Sequence, residues 1–177
     1  MEKLEKHYAV DIRWRAFELR PAGTPPMTEA FMQYIATARP KFERVAREQY
    51  GLEIDSGPFG INSHAAHVAA HYAVRMGVGA AYHNALLRAY WLEARDISDA
   101  GVLVELGEKA GLSAEGLRAA LADADYDNSV KADIYQAQLL GLDGVPALIF
   151  AKKYLVSGAQ PYDVLARIVE QLQAKVR

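Results

Sequence analysis

Three histidines in one predicted helix have a spacing that could bind a metal ion. His64, His67 and His71 are three and four residues apart and share one helix face, while His83 lies further along the chain. Neutral imidazoles are common zinc ligands. However, no Asp or Glu is interleaved on that face to complete a ligand set. We therefore expect these histidines to pack between helices or face solvent, and we predict no metal site.

A second candidate site is a proline that directly precedes an apolar run. The stretch "LDGVPALIFAKKYLVSGAQP", residues 142–161, reads as a short strand, a turn, a second strand and a helix start. Pro146 can open a strand, because the first residue need not donate to the ladder. From the residues alone, Pro146 either begins an edge strand in the ordinary trans form or bends the chain in the cis form.

The sequence has no residue that could perform thiol chemistry, because its 177 residues include no cysteine. Disulfides, thiolate nucleophiles and zinc–thiolate centres are therefore excluded within this sequence. The net charge of −2 gives no basic footprint for nucleic acid. No apolar run approaches the ~18 residues of a membrane helix, and "MEKLEKHYAV" lacks the apolar core of a signal peptide. We expect a cytoplasmic protein without nucleic-acid or membrane partners.

The N-terminal part of the chain predicts a helix followed by a strand. "MEKLEKHY" has the spacing of a helix end, and Val10, Ile12 and Trp14 alternate with charged residues. This alternation predicts a strand from Val10 to Leu19. A loop rich in proline and glycine follows, up to Pro26.

The middle of the chain, residues 28–140, is helical in pattern and predicts five to seven helices. We expect Pro40 to interrupt the first of them. Side chains that can cap helix N-termini begin several segments, namely Thr28, Ser63, Ser98 and Ser113. After this block, Ala147–Ala151 and the residues after Lys153 predict two strands, and Ser157 or Gln160 is expected to cap a final helix.

This order of elements resembles a thioredoxin fold with a helical domain inserted between its halves. At the residue level the chain is similar to the DsbA-like family, in its FrnE-type and 2-hydroxychromene-2-carboxylate isomerase branches. Four stretches carry the resemblance: "WRAFELRP" (14–21), "INSHAAHVAAHYA" (61–73), "RAYWLEARDISD" (88–99) and "GVPALIFAKKYLVSGAQP" (144–161). The resemblance implies an α/β fold, with residues 1–27 and 141–177 in the thioredoxin-like domain and 28–140 in an all-helical insertion.

The resemblance also implies a substrate-binding role for Val145 and Pro146. In that family the residue matching Pro146 is a cis-proline beside the active site. The residue before it offers its backbone to an extended peptide or to glutathione. An X–Pro bond gives up only about 0.5–1 kcal/mol of trans preference, so a fold can hold the cis form at little cost.

Two further pairs of residues match ligand-binding positions of glutathione-using relatives. Asn62 and Ser63 match a pair that lies near the ligand, although capping of a helix by Ser63 would explain them equally well. Ser157 and Gln160 match a loop that holds the γ-glutamyl end of glutathione at a helix N-terminus. Here the loop reads "SGAQP", the FrnE-type pattern. The resemblance therefore favours a thiol or disulfide peptide over glutathione as the ligand.

The sequence departs from the family pattern at its beginning. The family's first strand, catalytic loop and helix start, together roughly 15–20 residues, have no counterpart before Met1, so we expect no catalytic residue in this chain. In the family that first strand lies between the strands matching Val10–Leu19 and Ala147–Ala151. Its absence would leave strand edges unpaired, which predicts a homo-oligomer joined through those edges.

Two functions remain open at this point. By lineage the protein is a thiol–disulfide oxidoreductase whose catalytic Cys-x-x-Cys is absent from this chain, which is then truncated or inactive. Alternatively, it is a non-catalytic module that binds a peptide or glutathione and self-associates.

Overall fold

The structure, a computed structural model, describes residues 1–175. Within them the chain forms helices and strands in the order α1 (Glu2–His7), α2 (Glu29–Tyr50), α3 (His64–Arg75), α4 (Gly79–Leu92), α5 (Ala100–Lys109), α6 (Ala114–Leu121), α7 (Ala124–Leu139), β1 (Ala147–Phe150), β2 (Tyr154–Ser157) and α8 (Tyr162–Ala174). The predicted block of five to seven helices is confirmed, because six helices lie between residues 28 and 140.

The chain divides into two compact units. A terminal unit combines Met1–Phe17 with the chain from Asp133 onward, and a helical unit spans Glu18–Ala132. The sequence placed the boundaries at residues 27/28 and 140/141, and that finer division stays a prediction.

The core of the terminal unit forms where α1 and α8 pack together. Leu4, Leu165, Ala166 and Val169 are buried there. Leu148 and Phe150 of β1 pack against this cluster, together with Tyr8 and Val10. Apolar residues at positions 165, 166 and 169 share one face of α8, which explains why that face is the one buried.

Two antiparallel strands form the sheet of the terminal unit. β1 pairs with β2 in a register that joins Ala147 to Ser157 and Phe150 to Tyr154. The turn between them holds Ala151 and Lys152 at φ +50° and +57°, and Lys153 N–H donates to the Phe150 carbonyl over 3.0 Å. The predicted hairpin is therefore confirmed.

The strand predicted for Val10–Leu19 is wrong. No strand is assigned between residues 9 and 19, and within residues 1–175 the sheet contains only β1 and β2. Alternating apolar side chains can turn one face of an extended segment towards the core, but a strand also needs a neighbouring strand with which its backbone forms hydrogen bonds. In place of a ladder, Ala16 N–H donates to Asp133 Oδ2 over 2.9 Å, and Arg15 Nη1 lies 3.0 Å from Asp133 Oδ1.

The helical unit is built around a continuous apolar core from α3 to α6. Tyr82, Leu103 and Leu117 have no exposed surface, and they belong to one cluster with the small residues of α3. The Tyr82 hydroxyl donates to the Leu103 carbonyl over 3.0 Å, so its polar atom is satisfied inside the core.

Helix starts in this unit follow the predictions in part. Thr28 and Ser113 cap α2 and α6, accepting from Phe31 N–H and Gly116 N–H. Ser98 does not cap α5: its own N–H and hydroxyl donate to Asp96, and Asp99 is the cap.

Pro40 does not interrupt α2, which continues from Glu29 to Tyr50. A proline within a helix leaves the carbonyl four residues earlier without its donor. Here that carbonyl belongs to Ala36, and both Ala36 and Pro40 are exposed, so water can satisfy it. None of the helices in residues 1–175 combines the length and the apolar character needed to cross a bilayer.

Candidate functional site

The segment Gly144–Pro146 lies at the entrance to β1. The Val145–Pro146 peptide bond is cis, and both residues are exposed, with 51% of the Val145 surface accessible. A Cβ built on Gly144 would have no heavy atom within 4 Å. The Pro146 carbonyl accepts from Gly158 N–H over 2.9 Å. The segment is thus held to β2 at Pro146 and exposed at Val145.

The backbone of β1 points alternately towards β2 and away from it. The bond from Gly158 N–H fixes Pro146 as a residue that faces β2, so Leu148 and Phe150 face β2 as well. Val145, Ala147 and Ile149 then direct their N–H and C=O groups to the other side. Within residues 1–175 these groups have no hydrogen-bond partner. We call this row, Val145, Ala147 and Ile149, the open edge.

The loop from Ser157 to Gln160 closes on itself. Gln160 Nε2 donates to the Ser157 carbonyl over 3.0 Å. Neither residue caps α8 as predicted, because Pro161 is the N-cap residue and makes no side-chain capping bond. Asp163 lies in the first turn of α8. Its carboxylate forms an ion pair with Arg167 over 3.1 Å.

Asn62 and Ser63 lie in the helical unit, at the start of α3. Asn62 Oδ1 accepts from His64 N–H over 2.7 Å, while Ser63 Oγ lies 3.2 Å from His67 Nε2. The side-chain cap predicted for Ser63 is therefore wrong, because the longer Asn62 side chain reaches the helix N–H first. Both side chains make contacts within their own unit.

His64 is held between two carboxylates, which the sequence did not predict. Its Nδ1 lies 2.6 Å from Glu18 Oε1 and its Nε2 lies 2.8 Å from Asp127 Oδ1. The Glu18 side chain is only 5% exposed. Lys131 forms an ion pair with the second oxygen of Asp127. Among the described residues, no group of three or more His, Asp or Glu side chains is arranged so that it could hold a metal ion.

The surroundings of His64 favour its charged form. Burial opposes the charge, but the hydrogen bonds to Glu18 and Asp127 outweigh burial, and the pKa of His64 is raised above 6.5. Lys131 and then His64 hold the pKa of Asp127 below 3.8. The His64 ring, hydrogen-bonded at both nitrogens, therefore links the start of α3 to α7 and to the chain at Glu18.

We expect His64 to stabilise the fold most at mildly acidic pH. Because the pKa of His64 is higher in the folded state than in the unfolded state, protonation of His64 stabilises the fold. This contribution to stability is fully present below the unfolded-state pKa, near 6.5, and is lost as pH rises through the folded-state pKa. The difference in melting temperature between the wild type and His64→Gln should thus be larger at pH 6 than at pH 9. Thermal unfolding across this range measures it, and a difference that grows with pH would contradict the ion-pair assignment.

Four residues of the predicted site lie in the terminal unit and two lie in the helical unit. Val145, Pro146, Ser157 and Gln160 belong to the terminal unit, where Pro146 bonds to Gly158, next to Ser157. Asn62 and Ser63 belong to the helical unit. The ligand-binding roles of all six residues, and self-association through strand edges, stay predictions.

Comparison with known proteins gives a match over most of the chain. The family model described as DSBA-like thioredoxin domain matches residues 1–170. Among curated proteins, the uncharacterized protein YwbO of Bacillus subtilis (strain 168) is 24% identical over 180 residues, covering 98% of this chain and 88% of its own length.

Two solved structures have a similar fold. A probable DsbA oxidoreductase, SCO1869 from Streptomyces coelicolor, is 30% identical with a TM-score of 0.75, over 90% of this chain and 74% of that one. A 2-hydroxychromene-2-carboxylate isomerase aligns with a TM-score of 0.77 over 99% of this chain and 85% of that one. At 19% identity, the second likeness shows the fold alone.

Proposed function

Because this chain belongs to the DSBA-like thioredoxin domain family, we propose that it binds a thiol- or disulfide-bearing polypeptide at the segment Gly144–Pro146. The predicted family and the mixed α/β thioredoxin-like fold are confirmed by the match over residues 1–170. The observation that carries the proposal is the exposed Val145, whose backbone N–H and C=O have no partner within residues 1–175. Such groups can pair with an extended peptide.

The proposal concerns binding, because this chain supplies no thiolate. Thiol–disulfide exchange begins with attack of a thiolate on a disulfide sulfur, and the 177 residues contain no cysteine. A bound peptide disulfide would therefore be held intact by this chain alone. Both functions that the sequence left open, the oxidoreductase and the binding module, include this binding step.

Glutathione is the second candidate ligand, and the contacts of its expected loop support it less. Gln160 Nε2 already donates to the Ser157 carbonyl within that loop. A peptide that pairs with Val145 needs neither of these residues. We therefore propose a peptide as the main ligand and glutathione as a weak competitor.

The proposal predicts that binding depends on the Val145 N–H. Val145→Pro removes that donor, whereas the matched control Val145→Ala keeps it. Loss of a hydrogen bond worth about 1.4 kcal/mol corresponds to about tenfold in affinity. Fluorescence anisotropy with a labelled peptide that contains one disulfide should show about tenfold weaker binding for Val145→Pro and an affinity for Val145→Ala within about threefold of wild type.

The same titration contains the results that would overturn the proposal. These are no binding to the wild-type chain, or equal affinities for the proline and alanine variants that both keep the wild-type helical content. Strong competition by glutathione disulfide would favour the second ligand. The bound peptide should be recovered with its disulfide intact.

A further inference from the structure

A cleft of about 230 Å³ opens between the second half of α3 and the first turns of α7. All of its lining residues belong to the helical unit, Glu18–Ala132, so it uses no residue of the segment Gly144–Pro146. Its volume lies below the ~300–1,000 Å³ of pockets for drug-sized ligands, which limits a ligand to a smaller molecule. The residues that line the cleft are His71, Val74, Arg75, Asp125, Tyr126 and Ser129.

The α3 wall of the cleft presents a cation that is held in place. The Arg75 guanidinium carbon lies 5.6 Å from the centre of the Tyr126 ring, and its Nη1 lies 3.5 Å from the Tyr126 hydroxyl. Tyr126 is buried, and its ring meets that of Tyr72 edge to face at a centroid distance of 5.6 Å. Contact with this fixed ring orients the guanidinium. Within residues 1–175 Arg75 forms no ion pair with a carboxylate, so its remaining N–H donors can bind an anion.

The α7 wall presents oxygen acceptors. The Asp125 side chain is exposed and forms no ion pair in the described part of the chain. The Ser129 hydroxyl donates its proton to the Asp125 main-chain carbonyl over 2.9 Å, which leaves the hydroxyl oxygen to accept from a ligand. Arg75 and Asp125 thus carry opposite charges on facing walls and do not pair with each other. This arrangement is complementary to a small molecule that carries both charges.

We propose that the cleft between α3 and α7 binds a zwitterionic α-amino acid with an apolar side chain. The carboxylate of the ligand accepts from the Arg75 guanidinium, whose planar fork matches a carboxylate. The ammonium of the ligand donates to the Asp125 carboxylate and to Ser129 Oγ. A single amino acid holds both charges on one carbon, as so small a cleft requires, whereas a peptide carries them at its two ends.

The apolar part of the ligand has a matching wall at Val74. This side chain lines the cleft and is 63% exposed. It is packed from behind, because a Cβ built on Gly79 would lie only 2.6 Å from Val74 Cγ2. A ligand side chain that covers Val74 removes apolar surface from water on both molecules. The cleft should therefore prefer leucine to glycine.

The charge requirement is tested on the ligand, which leaves the protein unchanged. The full chain labelled with ¹⁵N is titrated by NMR with L-leucine, with N-acetyl-L-leucine, which lacks the ammonium, and with L-leucinamide, which lacks the carboxylate. Leucine should shift the amides of Val74, Arg75 and Ser129, and each analogue should bind at least about tenfold more weakly, as expected for the loss of one charged contact. Equal affinities of the three compounds, or no shift at these amides with about 50 mM leucine, would overturn the inference.

Two variants test which residue binds which end of the ligand. Arg75→Gln and Asp125→Asn should each bind leucine at least about tenfold more weakly than the wild type does. Arg75→Gln should also lose the preference for leucine over leucinamide, whereas Asp125→Asn should lose the preference over N-acetyl-leucine. A merely structural effect would weaken all three compounds alike. The matched control is Arg88→Gln, an exposed arginine of α4 that pairs with Glu93 and should leave the affinity unchanged. Equal affinities of the Arg75 and Arg88 variants, with wild-type helical content in both, would contradict the assignment.

Discussion

Replacing Asp133 by alanine is expected to lower the free energy of unfolding by about 2–3 kcal/mol. The Asp133 side chain is 6% exposed, and its Oδ2 accepts from the N–H of Ala16, which is itself buried. Removal of the carboxylate would leave that N–H unpaired away from water. The segment before Phe17, which has no strand ladder, would lose its attachment to α7.

The matched control is Arg15→Gln, which removes the ion pair and leaves the Ala16 bond in place. The Arg15 side chain is 66% exposed, so solvent screens its charge, and we expect a loss of at most about 1 kcal/mol. Asp133→Asn keeps one carbonyl oxygen as an acceptor. Its loss of unfolding free energy should lie between those of Asp133→Ala and Arg15→Gln. Urea unfolding of the three variants measures the order. Equal losses of unfolding free energy for Asp133→Ala and Arg15→Gln would mean that the ion pair, rather than the hydrogen bond to the buried Ala16 N–H, holds this segment to α7.

Gly57→Ala is expected to lower the free energy of unfolding by about 3 kcal/mol. A Cβ at Gly57 would clash with the Arg95 carbonyl oxygen and lie 2.9 Å from the Tyr90 ring. Gly57 is buried, and its N–H donates to the Tyr90 carbonyl over 2.6 Å. Relief of the clash requires movement of the backbone, because the Arg95 oxygen belongs to the main chain.

Gly144→Ala is the matched control for this substitution. No heavy atom lies within 4 Å of a Cβ at Gly144, so the change in stability should stay within about 0.5 kcal/mol. Thermal or urea unfolding of both variants, read by helical circular dichroism, gives the comparison. Similar stabilities of the two variants would show that the close approach at Gly57 can relax at little cost.

Local sequence signals predicted the helices and the hairpin. Each of these elements is specified by residues close in sequence. Helix caps need only the first few residues, as Thr28 and Ser113 show, and the β1–β2 pairing needs only a short turn. Where two residues that can cap a helix are adjacent in the sequence, the pattern did not show which of them would accept the helix N–H. Asp99 rather than Ser98 caps α5, and Asn62 rather than Ser63 binds the first N–H of α3.

The features that the sequence did not predict depend on distant partners. The pattern from Val10 to Leu19 is that of a strand, but whether a strand forms is decided by a neighbour far away in the chain. The two carboxylates around His64 come from Glu18 and Asp127, separated from it by 46 and 63 residues. The open edge of β1 likewise became definable only once the bond from Gly158 to Pro146 fixed which residues face β2.

Amide hydrogen exchange followed by NMR tests the central claim most directly, namely that the segment Gly144–Pro146 binds an extended polypeptide through the Val145 backbone. In the free protein, the amides of Val145, Ala147 and Ile149 should exchange quickly. Those of Leu148 and Phe150, which pair with β2, should exchange slowly. Saturating disulfide peptide should slow exchange of the Val145 amide and leave Leu148 and Phe150 unchanged. An unchanged exchange rate at Val145 when peptide is bound would contradict the claim.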